Sequence, residues 1–206
     1  MHTVFGRYSR LALAFSLAVA AVLAAAPLSA ADPSPAESLF DGKTLAGWRI
    51  VHGGNFTARD GVLQLRGGLG WLRSERQYQD FVLTLDIRWL KPVQDSGIFL
   101  RAGLDGKPWP NRKVEVQAEN SGRLAMLLGV AHTLDKPKTA QALKGLKEWN
   151  TFEVRCQGRR CEVKLNGQLV STSDQMPTAP GYLGFQAEYG DLDFRAIRIQ
   201  VLPAGK

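Results

Sequence analysis

The chain has 206 residues, 45% hydrophobic and 22% charged, with 26 Lys and Arg against 19 Asp and Glu for a net charge of +7. That balance excludes a disordered or acidic solvating chain, and 2 cysteines are too few for a disulfide-built miniature scaffold or a zinc cluster. With 21 glycines and 10 prolines, many turns and therefore many short strands are expected.

In chain order, Arg7 and Arg10 precede an apolar run from Leu11 to Ala26, which ends in Pro27-Leu28-Ser29-Ala30-Ala31. A positive start, an apolar stretch and a small-residue exit form the layout of a secretory signal peptide. Residues 1–31 are therefore expected to be removed, leaving a periplasmic or secreted protein. A membrane anchor is the competing reading, but the run of about 16 residues falls short of the roughly 20 that span a bilayer. No later segment approaches that length, so no membrane insertion of the remainder is expected. Loss of two arginines and no acids leaves a charge of +5. Its basic residues are scattered, and the densest patch, the four lysines between Lys136 and Lys147, reads as a solvated loop. Nucleic acid is not an expected partner.

Residues 32–38 read as a flexible lead-in and 39–203 as one domain. From there alternation with a period of two dominates. Gly61–Leu65, Phe81–Arg88, Gly97–Arg101 and Val114–Glu119 read as strands, as do Thr151–Cys156, Cys161–Leu165, Gln168–Ser171, Tyr182–Tyr189 and Leu192–Leu202. Asn166-Gly167 is a tight hairpin turn. Roughly ten strands with no internal repeat predict an all-β, antiparallel β-sandwich. Cys156 and Cys161 flank a four-residue turn, so their sulfurs would face each other across a hairpin. In an oxidising compartment a Cys156–Cys161 disulfide is expected; the alternative is two small apolar residues capping a strand pair.

Exposed strand faces usually carry Lys, Thr and scattered charges. The strand around Glu115, Gln117 and Glu119 instead aligns two carboxylates and an amide, and Gln186 and Glu188 repeat the pattern on a second strand. If both strands lie in one sheet, a polar groove results, with Arg101 at the end of a third. Acids at different depths can divide acid and base roles, while amides and a guanidinium suit sugar hydroxyls or a developing oxyanion. The competing reading is a solvated face with cross-strand ion pairs. Trp109, in Lys107-Pro108-Trp109-Pro110, is either a sugar-stacking platform or a loop anchor. His132 either lies over the groove or is an exposed loop histidine. Trp89 reads as core, Trp149 as packed beneath a sheet, and Arg195 as the partner of an acid. No nucleophile triad, phosphate loop or metal-ligand spacing is present.

The run Leu39-Phe40-Asp41-Gly42-Lys43-Thr44-Leu45-Ala46-Gly47-Trp48 resembles the opening of the bacterial 3-keto-disaccharide hydrolase family, a concanavalin-like jelly roll. Ser96-Gly97-Ile98 through Arg101, Glu115-Val116-Gln117, Trp149-Asn150 and Leu165-Asn166-Gly167 follow in the family's order. Leu183-Gly184-Phe185-Gln186 and Phe194-Arg195-Ala196-Ile197 close it, so the resemblance covers about residues 38–202. It implies action on glycosides oxidised at C3, where the ketone acidifies the C2 proton and the C1 substituent leaves by elimination before water adds back. On that reading Glu115 and Glu188 are base and acid, and Arg101 stabilises the enediolate. Gln117, Gln186, Glu119, Trp109 and His132 bind the carbohydrate substrate. No cofactor is required, although a divalent metal could take the place of Arg101, and a sugar 3-dehydrogenase would have to supply the ketone. Two positions depart from the pattern: Glu188 stands where the family's closing motif has His, and Asp95 where it has Asn. A non-catalytic carbohydrate-binding sandwich and an envelope interaction module are the other classes that fit.

Overall fold

A computed structural model describes residues 1–2 and 34–204. The expected signal peptide, residues 1–31, therefore lies almost wholly outside the described residues. Residues 34–204 belong to one compact unit, a sandwich of two antiparallel sheets as the alternation predicts.

One sheet has nine strands. Its order is β10 (Thr133–Leu134), β13 (Gln168–Ser173), β12 (Arg160–Leu165), β11 (Asn150–Gln157), β6 (Phe81–Trp89), β15 (Asp191–Val201), β4 (Val62–Arg66) and β3 (Phe56–Arg59). β1 (Glu37–Ser38) pairs with the tail of β15. The second sheet runs β2 (Trp48–Val51), β5 (Gly70–Tyr78), β14 (Gly181–Ala187), β7 (Gly97–Ala102), β8 (Val114–Gln117) and β9 (Leu127–Leu128). Among the described residues there is no helix long and apolar enough to cross a membrane.

The core lies between the layers. Phe81, Leu83, Leu85, Ile87 and Trp89 project into it from β6, with Phe152, Val154 and Phe194 from its neighbours. Leu72, Ile98, Leu100, Val114, Val116 and Phe185 face them from the second sheet. Phe185 and Phe194 meet across the layers with centroids 4.7 Å apart. The indole of Trp89 donates to the Ala118 carbonyl at 2.8 Å, so this tryptophan is core, with its polar atom satisfied.

Several expectations are corrected. The lead-in is tied down from Ser34, whose amide and hydroxyl bond Val201, and it contributes β1. The lysine-bearing stretch contains a helix, α1 (Lys136–Ala142), capped by Asp135 accepting from the Lys138 amide and with proline in its first turn. Trp149 lies between the guanidinium groups of Arg88 and Arg195, 4.4 and 4.1 Å from its ring, instead of beneath a sheet. Arg195 pairs with Asp86. Cys156 and Cys161 are directly opposed on β11 and β12, but they are free thiols with sulfurs 3.5 Å apart, buried in the core.

Candidate functional site

A sheet with one wet face shows alternating burial. β7 and β8 do not: every residue of both is buried, as is nearly every residue of β14. Their outer faces must therefore be covered, although they carry polar groups. Trp109 provides part of the cover. The segment between β7 and β8 folds back so that its indole donates to the Ala187 carbonyl at 3.2 Å and packs on Trp71, Phe99 and Ala102. At the other side the β8–β9 connection brings Arg123 over the sheet.

Strand register fixes the floor between them. Gln117 lies opposite Gly97 and Glu115 opposite Phe99, while Gln186 lies opposite Trp71 and Gly184 opposite Phe99. Gln186, Gly97 and Gln117 therefore form one row, and Gly184, Phe99 and Glu115 the next. Gly97 matters for what it lacks. A Cβ there would overlap the Glu115 side chain, meeting its Cδ at 2.7 Å, so the carboxylate lies flat over the glycine between the two glutamines. Gly184 gives way in the same manner to the ring of Trp71.

Four carboxyls converge here, at different depths. Glu115 is 5% exposed. Burial pushes its carboxyl up to about 7 against the pull of Lys113, with Asp95 and Glu188 adding repulsion. Burial also raises Glu188, helped by Asp95, and raises Asp95, helped by Glu119. For Glu119 burial is outweighed by hydrogen bonds from Ser121 and Arg123, which hold it below the ordinary range. Arg123 bridges Glu119 at 2.5 Å and Asp95 at 3.0 Å. The Gln117 amide donates to Asp95 at 2.6 Å and the Gln186 amide to Glu188 at 3.2 Å. That leaves the carbonyl oxygens of both glutamines buried and without a partner among the described residues. Such atoms are uncommon in folded proteins and call for a donor. Lys113 lies over the Phe99 ring with its ammonium 4.0 Å from Glu115.

The structure thus brings Glu115, Gln117, Glu119, Gln186 and Glu188 together, with Trp109 at the margin. It does not bring Arg101. That residue has a left-handed backbone, φ +48°, at an irregularity where the β7–β14 register slips. The slip interrupts the alternation, so Phe99 and Ala102 both pack on the outer cluster while Arg101 turns away. Its guanidinium is 0% exposed, paired with Asp80 at 2.9 Å and donating to the carbonyls of Gln79, Gly158 and Pro177. It ties the two layers together and has no part in the groove. His132 is also outside it: its Nδ1 lies 3.1 Å from the Val130 carbonyl within its own loop. Among the described residues no group of three or more His, Cys, Asp or Glu is placed to hold a metal. The sequence reading passed over Lys113, Arg123 and Trp71. Lys113 was detectable as the residue two before Glu115, immediately ahead of β8.

A buried row of acids and amides across one face of a jelly roll defines the general class. The particular family follows from the sequence: residues 35–200 match the model of the 3-keto-alpha-glucoside-1,2-lyase-like domain, and the chain belongs to that family. Two structures of candidate glycosyl hydrolases from Parabacteroides distasonis share the fold. One has a TM-score of 0.66 at 23% identity, covering 82% of this chain and 100% of that one. The other has 0.62 at 18%, covering 81% and 94%. A carbohydrate-binding module from Bacillus subtilis follows at 0.54 and 16%, covering 73% and 93%. No protein with a curated description matches the sequence significantly.

Proposed function

We propose that this protein cleaves glycosides whose C3 carries a ketone. Glu115 removes the C2 proton, and the C–H electron pair passes into a C2–C3 enediolate. As the C3 carbonyl re-forms, a C1–C2 double bond appears, the C1–oxygen bond breaks, and the leaving oxygen takes the proton of Glu188. Water then adds across the new double bond, so the net result is hydrolysis. The unpartnered carbonyls of Gln117 and Gln186 accept hydroxyl hydrogens of the sugar, and Trp109 borders the space it occupies.

The observation that carries this reading is the state of Glu115. A general base works best with a pKa near the working pH, and burial places this carboxyl at about 7 between two amide oxygens that need donors. Membership of the lyase-like family supports the same chemistry. A non-catalytic carbohydrate-binding role is the second reading, favoured by Glu188 standing where the resemblance places a histidine.

The two separate on turnover. The protein is incubated with a chromogenic 3-keto-glucoside and with its unoxidised parent, with and without EDTA. Release from the keto form alone is expected. No release from either, alongside sugar-dependent thermal stabilisation, overturns the enzymatic reading in favour of binding.

A further inference from the structure

Elimination through an enediolate places negative charge on the C3 oxygen, and the guanidinium expected to receive it is committed elsewhere. The other groove cations are largely occupied. Arg123 is bound to Glu119 and Asp95, and Arg73, whose Nε is buried without a partner among the described residues, holds its guanidinium 4.2 Å from the Tyr182 ring and has no contact with the groove acids among the described residues. Lys113 differs from both. Its side chain is only 23% exposed, yet its three donors have a single hydrogen bond among the described residues, a long one of 3.4 Å to the Pro110 carbonyl. The ammonium lies above the Phe99 ring, on the groove floor, 4.0 Å from the nearer Glu115 oxygen.

Resting on the elimination reading, we propose that Lys113 is a catalytic residue of the groove, the cation that receives the developing charge on the C3 oxygen while Glu115 takes the neighbouring C2 proton. C2 and C3 are bonded, so base and cation must stand side by side, and Lys113, immediately before β8, holds its ammonium 4.0 Å from the Glu115 carboxylate two residues on. The desolvated setting strengthens a charge-assisted hydrogen bond at the moment charge appears. The electron pair released at C2 is held on the C3 oxygen beside the ammonium and returns to re-form the carbonyl as the C1 substituent departs. No further reactant is needed.

The test compares wild type, Lys113→Met and Lys113→Arg on the chromogenic 3-keto-glucoside, with folding checked by thermal melting. Loss of one oxyanion donor typically lowers kcat by about 10²–10³-fold. Lys113→Met is expected to show a loss of that order, with KM changed by less than about threefold. Lys113→Arg is expected to recover about tenfold of it. A lysine acting only through its charge on Glu115 would shift the pH profile but leave kcat at its pH plateau unchanged. Here the acidic limb of Lys113→Met is expected to move to higher pH, because its cation lowers Glu115. The Arg variant keeps the charge and tests the assignment even if the Met variant melts early. Wild-type kinetics retained in a folded Lys113→Met would overturn the role of Lys113 alone. An inactive wild type would instead remove the elimination reading and this assignment with it.

Discussion

Replacing Glu115 by Gln should remove activity and stabilise the protein, but only at alkaline pH. The folded state holds this carboxyl at about 7 against an ordinary 4.5, chiefly because burial disfavours the charged form. A raised carboxyl pKa means that the stabilising form is the protonated one. Its contribution is complete below about 4.5 and is lost as pH rises through 7. At 1.36 kcal/mol per unit, the difference makes the ionised Glu115 cost about 3 kcal/mol above pH 8. The glutamine amide in Glu115→Gln has nearly the same shape and no charge, so it escapes that cost. For a domain of this size about 3 kcal/mol corresponds to roughly 6–12 °C in Tm. Thermal melts of both proteins at pH 4.5 and 8.5 measure it. The variant should melt several degrees higher at 8.5 and within a degree or two at 4.5. Equal offsets at the two pH values, or a wild type that is the more stable at 8.5, would refute the account of Glu115 as a strained, buried base.

Two further substitutions probe the surroundings. Asp95→Asn keeps an acceptor for the Gln117 amide but removes a charge that raises both Glu115 and Glu188. The acidic limb of kcat/KM should therefore move to lower pH; a pH–rate series that leaves it in place would contradict the coupling. Arg101→Met removes the guanidinium that pairs with Asp80 and donates to three interior carbonyls. Breaking a buried pair from one side costs about 3–5 kcal/mol, to be read by urea denaturation, and a loss under about 1 kcal/mol would show that the interlayer tie is unimportant.

What was legible in the sequence follows from where alternation survives. β6 and β11 pack one face on the core and leave the other near water, so Phe81–Trp89 and Phe152–Cys156 announce themselves. The acids and amides of the groove were visible because a polar row on a strand is unusual, and register brought β8 and β14 into one sheet. β5 was missed although it lies within the second sheet and carries Trp71: its polar stretch Glu75–Gln77 masks the buried residues before it. Arg101 was misassigned because parity counting assumes an unbroken strand, and a single left-handed residue moves every later side chain to the other face. Helix α1 escaped because seven residues give too little periodicity, although Asp135 and Pro137 mark its start. The cysteines were placed opposite each other correctly, but alignment across two strands does not itself form the bond.

The irregularity in β7 divides one strand between two duties. Up to Phe99 its outward residues shape the floor of the groove; at Arg101 it is fastened to the opposite layer. Positions 115, 117, 186 and 188 can thus be varied to accept a different ring or leaving group without loosening the fastening that holds the layers together. A family built on this plan can diversify in chemistry while its architecture stays fixed, because the two are inherited through different halves of the same strand.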